Sequence, residues 1–170
     1  VHVNISITTL DEGLRQKLEP RTASAAKRLE VVRQLSGAGI PVNVMAAPII
    51  PGLNDSEIPK LIQAAAEAGA SNAAYTLVRL NGSIGPIFED WIREAFPDRA
   101  DKVLKQIAAC HGGQLSDSRF GVRMSGEGAF ADLVSKLFKM SKQRYMADRS
   151  MKPYNYSHFC QRKGKQLNLF

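Results

Sequence analysis

The chain has 170 residues, of which 44% are hydrophobic and 23% charged, with a formal net charge of +7. These values exclude a disordered or collagen-like chain and allow one domain with a real core. No apolar stretch is long enough to cross a membrane. The two cysteines, Cys110 and Cys160, are too few for a disulfide framework, so we expect a reducing, cytoplasmic location.

The positive charge is concentrated near the end of the chain. Residues 1–136 carry 15 Lys and Arg against 15 Asp and Glu, whereas eight Lys and Arg follow Phe138 against Asp148 alone. A neutral body with a basic tail predicts attachment to an acidic partner, and nucleic acid is the common case. The alternative is a solvated helix face followed by a frayed terminus.

The first 80 residues alternate between strand and helix signals. Apolar, β-branched stretches predict strands, and amphipathic stretches that begin at capping residues and end at Gly or Pro predict helices. The elements expected in chain order are a strand at 1–9, helices at 11–18 and 23–35, a strand at 40–50, a helix at 56–70 and a strand at 71–80. Such a β-α-β-α-β order predicts parallel strands with helical crossovers, in a barrel or a doubly wound sheet.

The pattern becomes helical after Leu80. Helices are expected at 82–96, with Ile87, Trp91 and Phe96 near one face, and at 98–110 and 129–145. We therefore divide the chain into a βα region at 1–82, a helical extension at 83–146, and a basic, extended arm at 147–170.

The corner PIIPGLND, residues 48–55, connects the second strand to its helix. Its two prolines stop strand pairing, and Asn54, Asp55 and Ser56 are good helix N-caps. Corners at the carboxyl ends of parallel strands are where α/β proteins bind ligands. Without further context, a plain tight turn is the alternative.

The corner also fits the GxIxGxxE pattern of the radical S-adenosylmethionine (SAM) superfamily. Pro48 stands at the first Gly, Ile50 and Gly52 match, and Asp55 replaces the Glu. The surrounding sequence resembles enzymes of this superfamily related to spore photoproduct lyase. The segments that match are Ser6-Ile7-Thr8-Thr9, Leu18-Glu19-Pro20-Arg21, Gly39-Ile40-Pro41-Val42 and the later block DSRFGVRMSGEG. The resemblance covers about residues 1–150.

The resemblance implies that the chain is the carboxyl-terminal half of a partial (β/α)6 TIM barrel, about three βα units, with a helical extension. The CxxxCxxC loop that ligates the [4Fe–4S] cluster follows strand one in that family and is absent here. Since the sequence opens without Met, inside a predicted strand, we expect a fragment of a longer protein whose cluster ligands lie upstream. The chain alone is then expected to be inactive, and its unpaired strand edge to cause self-association.

The resemblance also implies which residues contact SAM. Ser6 and Thr8 would bond the ribose or methionine end, and Arg21 the methionine carboxylate. The adenine contacts would come from Ile50, from the backbone at Gly52 and from Val78. The parent enzyme would cleave SAM to a 5′-deoxyadenosyl radical that abstracts hydrogen from a substrate. The alternatives are strand-end capping for Ser6 and Thr8, and an exposed helix charge for Arg21. For Ile50 and Val78 the alternative is core packing.

Two more segments suggest binding. Arg119 and Arg123 lie in a Gly-rich stretch and are substrate candidates that could hold phosphate or carboxylate; the alternative is a structural pairing with Asp117 or Glu127. The final residues resemble the peptide by which bacterial repair proteins bind the sliding clamp, with anchors at Gln166, Leu167, Leu169 and Phe170. Folding back onto the barrel is the alternative for that peptide.

These observations favour a fragment of a radical SAM enzyme that acts on nucleic acid or in DNA repair. Two other readings remain open. One is a non-catalytic module that binds DNA or the clamp through its arm, and the other is an unrelated phosphate-binding α/β barrel enzyme. No metal site is predicted within this chain, because its histidines and cysteines are scattered.

Overall fold

A computed structural model describes residues 1–157 and 159–160 of the chain. Residues 158 and 161–170 lie outside the described part. The predicted clamp-binding peptide, residues 166–170, is among them.

Within the described residues, three parallel strands form one sheet in the order β1 (Val3–Ser6), β2 (Val42–Ile49), β3 (Asn72–Leu77). The pairing between β2 and β3 shifts register between Ala46 and Ile49, where Pro48 interrupts the ladder as its missing amide requires. The parallel α/β architecture predicted from the sequence is therefore confirmed. It is compatible with part of an α/β barrel.

Six α-helices accompany the sheet in the described part of the chain. Their bounds are α1 Glu12–Leu18, α2 Ala25–Gly37, α3 Ile58–Glu67, α4 Ile84–Ala95, α5 Ala100–Cys110 and α6 Gly128–Met146. Asp11 caps α1 by accepting a hydrogen bond from the amide of Leu14, as expected. Pro59 lies in the first turn of α3, where its missing amide is harmless. No helix among the described residues is both long and apolar enough to span a bilayer.

The corner after β2 differs from the prediction. A short 3₁₀ turn, Asp55–Glu57, precedes α3, and Asn54 makes no capping hydrogen bond to it. The side chain of Asn54 is instead buried, and its amide group hydrogen-bonds to backbone groups of the corner. Such bonds are expected, because buried polar groups need hydrogen-bond partners.

Two apolar clusters form the core. The larger packs the sheet against α2, α3 and α6 around Val32, Val44 and Ile62, none of which is exposed. The smaller joins Ile50 and Val78 to α4 and α5. It lies beyond the strand ends and gives one wall to the site described below.

The inward face of α4 was predicted wrongly in part. Ile87 is 65% exposed, whereas Phe88 and Ile92 are buried. Trp91 and Phe96 are partly buried against the smaller core, as expected. Adjacent positions on a helix are rotated by about 100°, and Phe88 and Ile92 mark the buried side of α4, so Ile87 falls on the solvent side of that stripe.

The Gly-rich segment 111–127 lies along the outer edge of β3. The amide of Leu77 donates to Met124 and that of Leu80 to Leu115, while the amide of Glu127 donates to Cys110. This segment therefore uses backbone groups that an edge strand would otherwise leave unpaired. Among the described strands, β1 pairs with β2 alone.

The two cysteines differ in accessibility, and this gives a testable prediction. Cys110 is buried at the end of α5, and burial raises the pKa of its thiol; Cys160 is exposed. A thiol reagent is expected to label only Cys160 in the native protein and both cysteines after denaturation, because the thiolate is the reactive form. Mass spectrometry of the labelled chain measures this. Rapid native labelling of a Cys160→Ser variant would contradict the packing of Cys110.

Candidate functional site at the carboxyl ends of the strands

A groove of about 310 Å³ opens where β2 and β3 end; we call it the strand-end groove. It contains both Ile50 and Val78, which were predicted as adenine contacts from separate parts of the sequence. Its lining residues are Leu18, Pro48, Ile50, Thr76, Leu77, Val78, Arg79, Leu80, Ile84, Phe88 and Met124. The lining is mostly apolar, which suits a flat aromatic group.

Asn54 fixes the corner that carries Ile50. Its side-chain oxygen accepts from the amide of Ile50 at 2.7 Å. Its side-chain nitrogen donates to the carbonyl oxygens of Thr8, at 2.7 Å, and of Pro48, at 2.9 Å. A single side chain thus ties the end of β1 to the end of β2, and this role was missed when Asn54 was read as a helix cap.

Gly52 has a φ of +77°, which favours glycine. A Cβ there would come within 3.0 Å of Oε1 of Gln106 on α5. The amide of Gly52 donates to Oδ1 of Asp55 at 2.6 Å. The backbone at Gly52 therefore packs closely against α5. The amide of Gly52 is bonded to the Asp55 side chain, and this bond closes the turn.

Ser6 and Thr8 lie at the end of β1 and both donate to the carbonyl oxygen of Ala47, at 3.0 and 3.3 Å. Ser6 is exposed and Thr8 is buried. The Thr8 hydroxyl also donates to the carboxylate of Glu19. These contacts are the strand-end hydrogen bonds that the sequence analysis gave as the alternative to SAM binding. Ser6 remains exposed to solvent.

Glu19 is the centre of a polar cluster beside β1. Burial opposes its charge, but hydrogen bonds from Thr8, Arg28 and Thr22 outweigh burial and place the pKa of Glu19 below its ordinary value. Arg28 donates to Glu19 at 2.6 Å and to the carbonyl oxygen of Ser6 at 2.9 Å. The carboxylate is therefore held ionised against the end of β1.

Sequence reasoning chose Arg21 in this region and missed Arg28. Arg21 is exposed, and within the part of the chain that the structure describes it pairs with no carboxylate. Arg28 lies one turn before the fully buried Val32 on α2. The spacing of Arg28 from Val32 could have indicated this role. Residues four positions apart lie on the same face of a helix, so the guanidinium of Arg28 is on the face that meets the sheet.

The two arginines of the Gly-rich segment have different environments. Arg119 donates to Asp117, at 2.7 Å, and to Glu127, at 2.6 Å, which is the structural pairing left open above. The guanidinium of Arg123 lies 5.8 Å from the ring centre of the exposed Phe120. Neither residue lines the strand-end groove.

The pairing of Asp117 predicts a pH dependence. Hydrogen bonds from Arg119 lower the pKa of Asp117 from 3.8 to about 2. A carboxyl group whose pKa is lower in the folded than in the unfolded protein stabilises the fold at pH values above its unfolded pKa. This stabilisation is lost as the pH falls from about 4 towards 2. Denaturant unfolding of the wild type and of Asp117→Asn should therefore differ at pH 6, and the difference should shrink below pH 4 and vanish only as the pH approaches 2. A difference that is constant over this range would contradict the ion pair.

No cluster of three His, Cys, Asp or Glu side chains with metal-binding geometry occurs in residues 1–157 and 159–160. The strand-end groove, in contrast, has the size and apolar lining for part of a nucleoside cofactor.

Comparison with known families gives a match to part of the chain. The model of the radical SAM superfamily matches residues 1–65, the region from β1 to α3, and supports membership of that superfamily. Uncharacterized proteins of Mycobacterium tuberculosis and Mycobacterium bovis are each 31% identical to the chain over 100 residues. An uncharacterized protein of Acidianus two-tailed virus is 41% identical over 51 residues.

These matches cover only parts of the relatives. The 100-residue match includes 58% of this chain and 29% of each mycobacterial protein, and the viral match includes 30% of this chain and 17% of the viral protein. The matched part of the chain thus spans less than a third of the length of each mycobacterial protein. No solved structure shows significant similarity to the chain.

Proposed function

We propose that this chain forms part of the SAM-binding half of a radical SAM enzyme, with the strand-end groove as the adenine site. The observation that carries the proposal is the meeting of Ile50 and Val78 in one apolar groove at the ends of two parallel strands. Ile50 lies inside the region that matches the superfamily model, and Val78 follows the next strand. Ligands of α/β proteins bind at this edge of a sheet.

The remaining SAM contacts would come from the end of β1. Ser6 has an exposed hydroxyl, and Arg21 has an exposed guanidinium, which suits a carboxylate. Thr8 would act mainly through its link to Glu19, and Arg28 would hold that carboxylate in place. If other parts of the parent protein hold a [4Fe–4S] cluster, SAM would supply a carbon–sulfur bond that the cluster can cleave reductively.

Two isoleucines of α4 provide a matched test. Ile84 lines the groove and is 55% exposed, whereas Ile87 is 65% exposed and does not line the groove. Because both are exposed, aspartate at either position should leave the fold intact. Ile84→Asp is expected to raise the Kd for SAM about tenfold, as the loss of 1–2 kcal/mol of apolar contact would do, while Ile87→Asp leaves it unchanged.

Isothermal titration of SAM into the wild type and the two variants measures this, with circular dichroism as the check on folding. Equal Kd values for the wild type and Ile84→Asp would reject the groove as the adenine site. If SAM fails to bind the wild-type chain, the reading as an unrelated phosphate-binding barrel gains weight, and inorganic phosphate becomes the next ligand to titrate.

For the substrate, we propose nucleic acid and a repair reaction like that of the spore photoproduct lyase group. The supporting observation is that the arm combines its basic residues with the exposed rings of Tyr154, Tyr156 and Phe159. Exposed rings and cations together favour single strands. Loss of oligonucleotide binding at low salt on deletion of residues 147–170 would support this role, and unchanged binding would reject it.

The arm also supports the reading as a non-catalytic binding module. A pull-down of the bacterial sliding clamp tests the terminal peptide, whose residues lie outside the described part of the chain. Binding of DNA or clamp that persists in Ile84→Asp, together with a failure of the wild type to bind SAM, would favour the module over the enzyme.

We also propose that the chain self-associates through β1. Among the described strands β1 has one neighbour, and an unpaired edge can pair with another copy. Light scattering at increasing concentration should show a mass above that of the monomer. Asn4→Pro, on the exposed side of β1, should reduce association because proline removes an amide donor. A concentration-independent monomer mass would reject the proposal.

A further inference from the structure

A row of asparagine side chains crosses the amino ends of the three strands. The side-chain nitrogen of Asn43 donates to Oδ1 of Asn4 at 2.8 Å, and that of Asn72 donates to Oδ1 of Asn43 at 2.9 Å. Lys142, on α6, ends the row, since its Nζ donates to Oδ1 of Asn72 at 2.7 Å. This bond uses one of the three donors of an ammonium group. The row therefore fixes a cation at the amino end of β3.

The start of the basic arm crosses the same end of the sheet. Nη1 of Arg149 donates to the carbonyl oxygen of Ala70, just before β3, at 2.8 Å. Nε2 of His2, just before β1, lies 2.8 Å from the carbonyl oxygen of Lys152. The outer strands are about 10 Å apart, at roughly 4.8 Å for each step between strands, and three residues of extended chain can cover that distance. The segment 149–152 therefore runs beneath the sheet from β3 to β1.

The cations at this end keep their charge. Within the described residues, the ion pairs all join side chains between positions 12 and 127, and none includes Lys142, Arg149 or Lys152. Lys142 and Arg149 are bonded instead to neutral amide oxygens, which hold the cationic groups in place without cancelling their charge. An anionic partner would therefore meet fixed positive charges here.

Two tyrosine rings lie beside these cations. Tyr154 stacks on the ring of His2, with 4.0 Å between the ring centres, and remains 55% exposed. The ring centre of Tyr156 lies 6.2 Å from that of Tyr154. Cations that follow a phosphate backbone and exposed rings that stack on unpaired bases are the combination that binds single strands. An acidic peptide without aromatic side chains would engage the cations but offers no flat partner for the rings.

We propose, on the basis of the nucleic-acid binding inferred above for the arm, that one surface at the amino ends of the strands binds single-stranded nucleic acid. We call it the basic face, and it consists of Lys142, Arg149, Lys152, Tyr154 and Tyr156. Lys142 lies outside the arm, so the body of the protein takes part in binding. Asn72, which holds Lys142, is six residues before Val78 in the strand-end groove, or about 20 Å away at 3.3 Å per residue. The basic face thus anchors a strand away from the proposed SAM site.

Lys142→Gln tests the part played by the body of the protein. The glutamine amide can still donate to Asn72, whereas the charge is lost. Fluorescence anisotropy with an oligothymidylate of about 12 nucleotides should show a Kd raised about threefold or more at low salt. The slope of log K against log salt should become shallower by about 0.7.

Lys27→Gln is the matched control. Lys27 is exposed on α2, beside Arg28, which bonds the carbonyl oxygen of Ser6 at the carboxyl end of β1. It therefore lies at the other end of the sheet, and its replacement should leave the Kd and the salt slope unchanged. Circular dichroism checks the folding of both variants.

Two histidines report where the strand lies. His2 is at the basic face, whereas His111 bonds the carbonyl oxygen of Val78 beside the strand-end groove. In the wild type labelled with ¹⁵N-histidine, the oligonucleotide should shift the ring resonances of His2 and leave those of His111 unmoved.

The opposite results overturn the basic face. These are Lys142→Gln binding as well as Lys27→Gln, an unmoved His2 resonance, or equal affinity for polyglutamate of the same charge as the oligonucleotide. If deletion of residues 147–170 still abolishes binding in that case, the arm binds nucleic acid without this surface. If the wild type binds no oligonucleotide, the basic face and the nucleic-acid substrate are both rejected, and the SAM site, tested by Ile84→Asp, is unaffected.

Discussion

Replacement of Asn54 by alanine is expected to lower the free energy of unfolding by about 2–4 kcal/mol, from three lost hydrogen bonds at roughly 1 kcal/mol each and the burial of their unpaired partners. Asn54 is 1% exposed and bonds the amide of Ile50 and the carbonyl oxygens of Thr8 and Pro48. Water cannot readily replace a side chain at so buried a position. Urea unfolding followed by circular dichroism measures the change.

Two further variants sharpen this prediction. Asn155 is exposed and makes one hydrogen bond to a backbone amide, so Asn155→Ala should change the stability by less than about 0.5 kcal/mol. Asn54→Asp keeps the acceptor for Ile50 but turns a carboxylate oxygen towards two carbonyls, and should cost at least as much as alanine. If Asn54→Ala were as stable as the Asn155 variant, the corner would be held by other contacts.

Asn54→Ala should also weaken SAM binding if the strand-end groove is the adenine site. Ile50 lies in the groove and takes its position from the corner that Asn54 closes. At a temperature where the variant remains folded, the loss of affinity should exceed that of any exposed substitution outside the groove. Ile87→Asp supplies that reference.

A second large effect is expected at Gly126, where the Gly-rich segment meets β3. Its φ is +71°, and a Cβ there would come within 2.7 Å of Cδ1 of Leu77 and 3.0 Å of the carbonyl oxygen of Cys110. Gly126→Ala should cost about 1–2 kcal/mol for the left-handed backbone, and about 1–3 kcal/mol more for the overpacking. Thermal and urea unfolding measure the sum.

Gly113 separates the two contributions. Its φ is +89°, but a Cβ there would meet nothing within 4 Å, so Gly113→Ala should show the backbone cost alone. An equal loss of stability in the two variants would mean that the segment moves away from Leu77 at little cost. The close contact at Gly126 would then not be what fixes the segment against the sheet.

The sequence by itself determined the local architecture. Alternation of β-branched stretches with amphipathic helices, punctuated by Asp11, Pro48 and Pro59, predicted three parallel strands and their crossovers to within a few residues. These signals are local, because capping, the missing proline amide and side-chain periodicity act within a few residues of the chain. The corner at residues 48–55 and short matching segments elsewhere in the chain carried the resemblance to the radical SAM superfamily, which the match over residues 1–65 supports.

Only the tertiary structure decided which polar groups meet. The bonds from Asn54 to Thr8, from Arg28 to Glu19 and from His111 to Val78 join residues that are 46, 9 and 33 positions apart. Periodicity assigns a face to each residue but not the neighbour that this face contacts, so Asn54 was taken for a cap and Arg28 was overlooked. The paths of the corner and of the Gly-rich segment depend on packing against other elements, and it is this packing that creates the strand-end groove.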